Sequence, residues 1–452
     1  KRCFIMVAVG ECLTAIIVFL EVMFMKEFVN IGIIGTSGRG SGMLRELLKC
    51  EGVKVPAVCD KYEDRAKRGA EIVKEEVGAD ANWYLDYKEM FEKEKLDAVY
   101  VATTWITHAR IAIDAMRAGK HVAMEVGGAA SVEECWQMVE TAEKYRVHCM
   151  QLENCCYGEA EMLCLNLVRQ GFLGDIVHGE GAYIHDLRSL NYLDPAKSGY
   201  QGYWRLKWNN EHTGNPYPTH GLVPLMQAMN INRGDRFDYL TCIATNQVGM
   251  SLYAKTKYPD CKWRNGLNPK CGDMSTTVMH TVNGKTVMVQ HDVTSPRPYS
   301  RINLLSGTKG CLNDYPFRIA LEEKPGEGAH GWFDAKKTAE IREKYRHPLW
   351  KVAGELAKKM GGHGGMDFLM DLRLCYCLQN GLPLDMDVYD LATSCSVCEL
   401  SERSALNRGN SVDIPDFTRG AWRSNKPLDI VTVDLKKLGL DDVKADDSQL
   451  NV

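Results

Sequence analysis

The stretch from Asn30 to Leu44, NIGIIGTSGRGSGML, constrains the fold more than any other part of this chain. An apolar run with Ile31, Ile33 and Ile34 stops at Gly35, a turn carrying Gly38, Gly40 and Gly42 follows, and Met43, Leu44, Leu47 and Leu48 open a helical pattern. A strand, a glycine-rich turn and a helix in that order hold a pyrophosphate. The first helical turn has unpaired N–H groups, and glycine lets a phosphate approach the backbone. The fit to GxGxxG is incomplete, since Gly35 and Gly40 take the outer positions and Ser37 the middle one.

A second apolar run, 53–59, ends at Asp60, about 20 residues further on, where a ribose-binding acid is expected. An acid there accepts from the adenosine 2′-hydroxyl and repels a 2′-phosphate, so NAD is expected as cofactor in preference to NADP. Lys61 and Arg39 lie near enough in sequence to offset part of that repulsion. Strand patterns at 29–34, 53–59, 98–102, 121–124 and 147–152 alternate with helical patterns at 44–48, 65–77, 109–118 and 132–145. Such alternation demands right-handed crossovers and a parallel sheet, a doubly wound Rossmann domain over 25–154. Its ligands sit beyond the carboxyl ends of the strands, which singles out 35–40, Asp60, 103–108, 125–127 and 153–154.

From 155 to 425 the pattern changes. A helix is expected to run on to Gln170, then β-type segments follow at 178–185, 238–248, 275–282, 286–294 and 301–307, and helices resume at 365–378 and 388–407. VNGK, Val282 to Lys285, carries the Asn-Gly signal of a two-residue hairpin. This half reads as a substrate-binding α/β domain on a mostly antiparallel sheet, followed by a charged tail, 426–452. Residues 1–24 form a largely apolar extension interrupted by Glu11 and Glu21, with Met25 the expected natural start. A cytoplasmic protein is expected, although that apolar stretch leaves export or anchoring open.

The net charge of −4 on 452 residues gives no reason to expect nucleic acid or an acidic membrane as partner. Seventeen cysteines lack the spacing of a disulfide framework or a zinc site. Cys395 and Cys398 form CxxC, and Cys155 and Cys156 are adjacent, but all four read as small buried residues. No metal is expected.

The chemistry concentrates between 183 and 220, with Tyr183, His185, Asp186, Arg188, Trp204, Arg205, Trp208, Asn209, Asn215, Tyr217, Thr219 and His220. GNPYPTHG, Gly214 to Gly221, is a loop that presents Tyr217 and His220 three residues apart. Tyrosine and histidine move protons to and from hydroxyls and carbon acids, and tryptophan faces stack on sugar rings. A wet aromatic loop without catalysis is the bland alternative. GGHGG, 361–365, brings His363 either toward the site or into a helix-start turn.

Taken with TTWITH at 103–108, AMEVGG around Glu125, QLENC at 151–155, YIHDLR at 183–188, YWRLKWN at 203–209 and GGHGGMDF at 361–368, these motifs carry a resemblance. From about residue 26 to 422 the chain resembles the glucose-fructose oxidoreductase and inositol dehydrogenase group. Within it the chain looks most like glycoside hydrolase family 109, the NAD-dependent α-N-acetylgalactosaminidases. Ordinary members of the group have EKP where this chain has Glu125, Val126 and Gly127. The missing lysine argues against plain alcohol oxidation.

The resemblance implies cofactor contacts at Ser37, Gly38, Arg39, Gly40, Asp60, Trp105, Thr107, His108, Glu125, Val126 and Asn154, and the turn itself adds Gly35. It implies substrate contacts at Tyr183, Arg205, Tyr217, Pro218, Thr219, His220 and Tyr299, the last on resemblance alone. It also implies a cycle in which NAD oxidises C3 of the sugar, the C2 proton is removed, the aglycone leaves C1, water adds and the hydride returns. His220 or Tyr217 is expected at the C3 hydroxyl, Tyr183 at the C2 proton or leaving group, and Arg205 in sugar positioning. The partner is a small-molecule or glycan substrate, and the resemblance adds a homo-oligomer. An NAD-dependent sugar dehydrogenase or aldose oxidoreductase, and a non-enzymatic sugar or NAD sensor, are the rival readings.

Overall fold

The computed structural model describes residues 26–194, 200–322, 324, 326, 328–427 and 433. The apolar extension and nearly all of the charged tail lie outside them. Six strands form one sheet in the order β3-β2-β1-β4-β5-β6: β1 Val29–Ile34, β2 Val53–Cys59, β3 Asn82–Tyr84, β4 Ala98–Val101, β5 His121–Met124 and β6 Cys149–Gln151. The pairs β1 with β2, β2 with β3 and β5 with β6 are parallel. β4 and β6 are buried along their whole length and β1 at all but one residue, which is why they read as continuous apolar runs and not as alternating ones.

The second sheet has eight strands in the order β13-β12-β11-β7-β10-β9-β8-β14. They are β7 Ile176–Ile184, β8 Phe237–Ala244, β9 Ser275–Thr281, β10 Thr286–Asp292, β11 Leu304–Gly307, β12 Gly310–Asn313, β13 Arg318–Leu321 and β14 Val412–Asp413. Only β10 against β7 is parallel, so the sheet is mostly antiparallel, as expected.

The described chain forms two compact units. One takes the described parts of Lys1–Tyr100, Val352–Asp385 and Thr432–Val452, and the other those of Val101–Lys351 and Met386–Val431. In the first, the helices Arg39–Leu47 and Met366–Asn380 pack together. In the second, the helix Val388–Leu406 lies on the helix Val132–Tyr145 and on β8.

Three local differences from the sequence reading have physical causes. The helix expected to run from 155 to 170 is broken at Gly158, whose ψ of 142° is extended, into a short turn at Asn154–Tyr157 and the helix Glu159–Arg169. The VNGK hairpin forms, but only Gly284 has positive φ, at 84°. The turn is therefore longer than the two-residue type, which needs positive φ at both central residues or at the first of them. β3 and the helix Tyr87–Lys93 carry too short and too exposed an apolar pattern to be read in advance.

Candidate active site

Two glycines bring the chemistry together. Gly181 in β7 and Gly221 in the helix Thr219–Ala228 face each other with no side chain between them. A Cβ on Gly181 would strike the Gly221 carbonyl, and one on Gly221 would strike the backbone nitrogen of Ala182. The helix therefore lies with its backbone on the strand. His220, one residue before its glycine, and Tyr183, two residues after the other, come within 5.3 Å, ring centre to ring centre.

Behind His220 lies Glu153, fully buried just after β6. His220 Nδ1 donates to Glu153 Oε1 at 2.6 Å, and the same oxygen accepts the Cys155 N–H at 3.1 Å. Burial works against the Glu153 charge, but His220 outweighs it and holds the carboxyl below its ordinary pKa. An ionised Glu153 fixes the proton on Nδ1, leaving Nε2 as the acceptor. Nε2 faces the Tyr217 hydroxyl, 3.4 Å away. The Cys155 thiol, Glu153 and His220 lie within 4.8 Å of one another, a grouping a metal ion also uses. Here burial pushes the Cys155 thiol well up. The protonated sulfur donates to Asn154 Oδ1 at 3.5 Å. Glu153 and His220 thus form a hydrogen-bonded dyad beside the Cys155 thiol.

Tyr183 sits at the centre of the rings: Tyr217 at 4.6 Å, His185 at 5.6 Å, His291 at 6.2 Å and Tyr299 at 6.5 Å. Its hydroxyl lies 3.1 Å from His185 Nδ1. Burial raises its pKa, and the Arg205 guanidinium opposes that rise without cancelling it. Arg205 is itself buried, its guanidinium 4.9 Å from the Trp105 ring, 5.1 Å from Tyr217 and 5.8 Å from both Tyr183 and Tyr200. Among the described residues no carboxylate pairs with it, and it donates to the Tyr200 hydroxyl at 3.1 Å. A buried cation held by aromatic faces is a charge kept for something else. Tyr299, partly exposed, accepts from Arg301 Nη1 at 2.9 Å, while Arg301 pairs with the buried Glu161.

The EVG segment is built around an aromatic seat. Val126 is buried in one cluster with Trp105, Tyr183 and Tyr217. The position where the resemblance puts a lysine is thus packed and apolar. Gly127 has φ 81°, and a Cβ there would strike the Trp105 ring. Trp105 stacks on Tyr217 at 5.5 Å and meets Trp204 edge-on at 4.8 Å. His108 is buried beneath, its Nδ1 3.1 Å from the Gly127 carbonyl, and burial lowers its pKa to about 4, so it stays neutral. Glu125 Oε2 accepts the Val126 N–H at 3.2 Å, and Thr107 bonds back to Thr103 at 2.8 Å. Pro218 caps the helix that Thr219 begins. Of the residues expected from sequence, those from Trp105 to Tyr299 thus lie in one unit. Glu153, which the sequence marks only as a strand end, joins the site as the partner of His220. Its signal was a lone acid directly after a buried strand, 67 positions from its histidine.

In the other unit the glycine turn has the features of a dinucleotide cradle. The Ser37 and Gly38 N–H groups make no hydrogen bond among the described residues. Gly38 has φ 56°, with no atom within 4 Å of where its Cβ would stand. The turn leads into the nine-residue helix Arg39–Leu47, with Gly40 in its first turn and Gly35 bonded to the end of β2. Asp60 Oδ2 accepts the Thr36 N–H and Oδ1 the Tyr62 N–H, both at 3.1 Å. Each oxygen keeps a lone pair for a ribose hydroxyl.

Comparison with known proteins divides the chain at a different point from the two compact units. Residues 29–152 match the oxidoreductase family, NAD-binding Rossmann fold, and residues 157–424 match the glycosyl hydrolase 109, C-terminal domain. A glycosyl hydrolase family 109 protein of Shewanella woodyi is 48% identical over 414 residues, 89% of this chain and 88% of the relative. An alpha-N-acetylgalactosaminidase of Shewanella oneidensis is 48% identical over 411 residues, 90% of this chain and 88% of the relative. Among solved structures, levoglucosan dehydrogenase in complex with NADH and L-sorbose shares the fold with a TM-score of 0.65 at 16% identity, over 86% of this chain and 100% of that one. An oxidoreductase domain protein from Kribbella flavida has a TM-score of 0.66 at 18% identity, over 86% of this chain and 100% of that one. With an NAD-binding Rossmann domain and the C-terminal domain both matched, and relatives near half identical along almost their whole length, this chain belongs to glycosyl hydrolase family 109.

Proposed function

We propose that this protein hydrolyses α-N-acetylgalactosaminides by a cycle of oxidation, elimination, water addition and reduction. The observation that carries the reading is a pair of separate proton carriers on one site, His220 with Glu153 and Tyr183 with His185, beside a Val126 that fills the place of a dehydrogenase lysine. The 35–40 turn and Asp60, and by the family resemblance also 105–108, 125–126 and Asn154, would hold NAD, which would supply a hydride acceptor for C3 of the sugar and a hydride donor at the end of the cycle. His220 Nε2 takes the C3 hydroxyl proton, with Tyr217 placing that hydroxyl. Tyr183 takes the C2 proton, made acidic by the C3 ketone, while His185 receives the proton that Tyr183 gives up. The C1–O bond to the aglycone then breaks. Arg205 offsets the negative charge that develops as C2 is deprotonated. Arg205, Pro218, Thr219 and Tyr299 line the sugar.

The direct test is incubation with an aryl α-N-acetylgalactosaminide in heavy water, following phenol release, NADH absorbance and deuterium at C2 together. Phenol release with deuterium at C2 and no net NADH is the expected result. Net NADH with an intact glycoside would make the protein a dehydrogenase instead.

Among the described residues no helix is long and apolar enough to cross a membrane. We assign the protein to the cytoplasm, where its fifteen described cysteines, all free, stay reduced; cell fractionation tests this. Tyr239, Ile243 and Val278 are exposed on neighbouring strands of the second sheet, and we propose that this face packs against a second copy. Light scattering should give twice the chain mass or more, and Ile243→Lys should return it to a monomer.

A further inference from the structure

The GGHGG segment has an unusual backbone and a specific contact. Gly361, Gly362, His363, Gly364 and Gly365 all have positive φ, at 94°, 71°, 48°, 72° and 100°. Left-handed backbone is unfavourable for a residue with a Cβ, and His363 adopts it. The run turns the chain from the helix Pro348–Met360 into the helix Met366–Asn380 and sets His363 four residues before Asp367.

Asp367 is buried, its side chain only 1% exposed. Its Oδ2 and Oδ1 accept from Arg39 Nη1 and Nη2 at 2.7 and 2.8 Å, a two-point fork. His363 Nδ1 lies 2.8 Å from the same Oδ2. Burial alone would raise the Asp367 pKa, but the bonds from Arg39 and His363 outweigh it and hold the carboxyl far below the usual range. A Cβ on Gly362 would press on the Asp367 side chain, so the turn is shaped to this carboxylate.

Arg39 opens the helix that follows the glycine turn, three residues after the Thr36 N–H that Asp60 binds. An arginine near the ribose acid is what accommodates a 2′-phosphate in NADP-binding proteins. Arginine forks bind carboxylate and phosphate with the same paired N–H groups, so a fork given to one is withheld from the other. We propose that Asp367, steadied by His363, fastens Arg39 so that its paired N–H groups are not offered to a 2′-phosphate. Asp367 is then a second determinant, with Asp60, of NAD over NADP. The 2′-phosphate would meet two carboxylates against one guanidinium. The proposal rests on NAD being the cofactor.

The test equilibrates the purified full-length protein with equal NAD+ and NADP+, removes unbound nucleotide by gel filtration, and counts released NAD+ and NADP+ by chromatography. The wild type should retain NAD+ almost alone. Asp367→Asn should raise the retained NADP+ to NAD+ ratio about tenfold, and Asp367→Asn with Arg39→Gln should return it to the wild-type value. A folded Asp367→Asn protein with an unchanged ratio overturns the proposal, as does a gain that survives loss of Arg39. If Asp367→Asn does not fold, Asp367→Glu keeps the buried charge while its longer arm breaks the fork. It should move the ratio at least threefold the same way, and no movement overturns the proposal. A wild type that retains neither nucleotide overturns the cofactor reading itself.

Discussion

Tyr183→Phe should abolish aglycone release and deuterium uptake at C2, by about a thousandfold or more, yet leave a transient of NADH absorbance on mixing with the sugar. The phenylalanine keeps the ring packing against Tyr217 and His220 and removes only the hydroxyl that lies beside His185. In the proposed cycle oxidation at C3 does not use that hydroxyl, so the enzyme should stop with the ketone formed and NADH bound. A rapid-scanning absorbance trace at 340 nm read beside phenol release separates the steps. Loss of both signals would move Tyr183 to the oxidation step. Full phenol release would remove it from the mechanism.

Glu153→Gln should fail one step earlier. Its carboxylate holds the proton on His220 Nδ1 and so leaves Nε2 able to accept. An amide at that position also offers an N–H donor, which selects the other tautomer, with the proton on Nε2. The closest precedent in kind is the carboxylate behind a catalytic histidine in serine proteases, where the same change costs about 10⁴ in turnover. We expect a loss of about 10³ in kcat, KM within about threefold, and no NADH transient. Glu153→Asp, which keeps the charge on a shorter arm, should recover part of the transient. A purely structural Glu153 would instead lower thermal stability in both variants and leave the transient in whatever protein remained folded.

The two variants thus divide the cycle at the ketone. The residues they touch differed greatly in how legible they were. Tyr183, Tyr217 and His220 stood out because they share a short loop-rich stretch with Arg205 and the tryptophans, where neither a helical nor a strand period explains so many polar aromatics. Glu153 stood out only as a strand end, without a role, because its partner is made by the close approach of Gly181 and Gly221, and that approach belongs to tertiary packing. Arg39 was legible as a basic residue near the ribose acid, but its binding by Asp367, 328 positions away, was not. The first sheet was legible because strands buried on both faces write long apolar runs. Its outer strand β3, with two of three residues exposed, wrote none. Between β13 and the helix Met366–Asn380, the helices Ala335–Lys344 and Pro348–Met360 went unread. The first of them buries only Thr338.

Gly127 sets a limit on how this branch of the fold can be redesigned. The obvious way to graft a dehydrogenase onto the scaffold is to write the lysine and proline of EKP over Val126 and Gly127. Proline is locked near φ −65°, while Gly127 stands at 81° beneath the Trp105 ring. The graft would have to reverse the local backbone and evict the tryptophan that stacks on Tyr217 before the lysine reached any hydroxyl. Converting this segment to the dehydrogenase form is therefore a problem of main-chain path, which side-chain exchange at Val126 alone does not address.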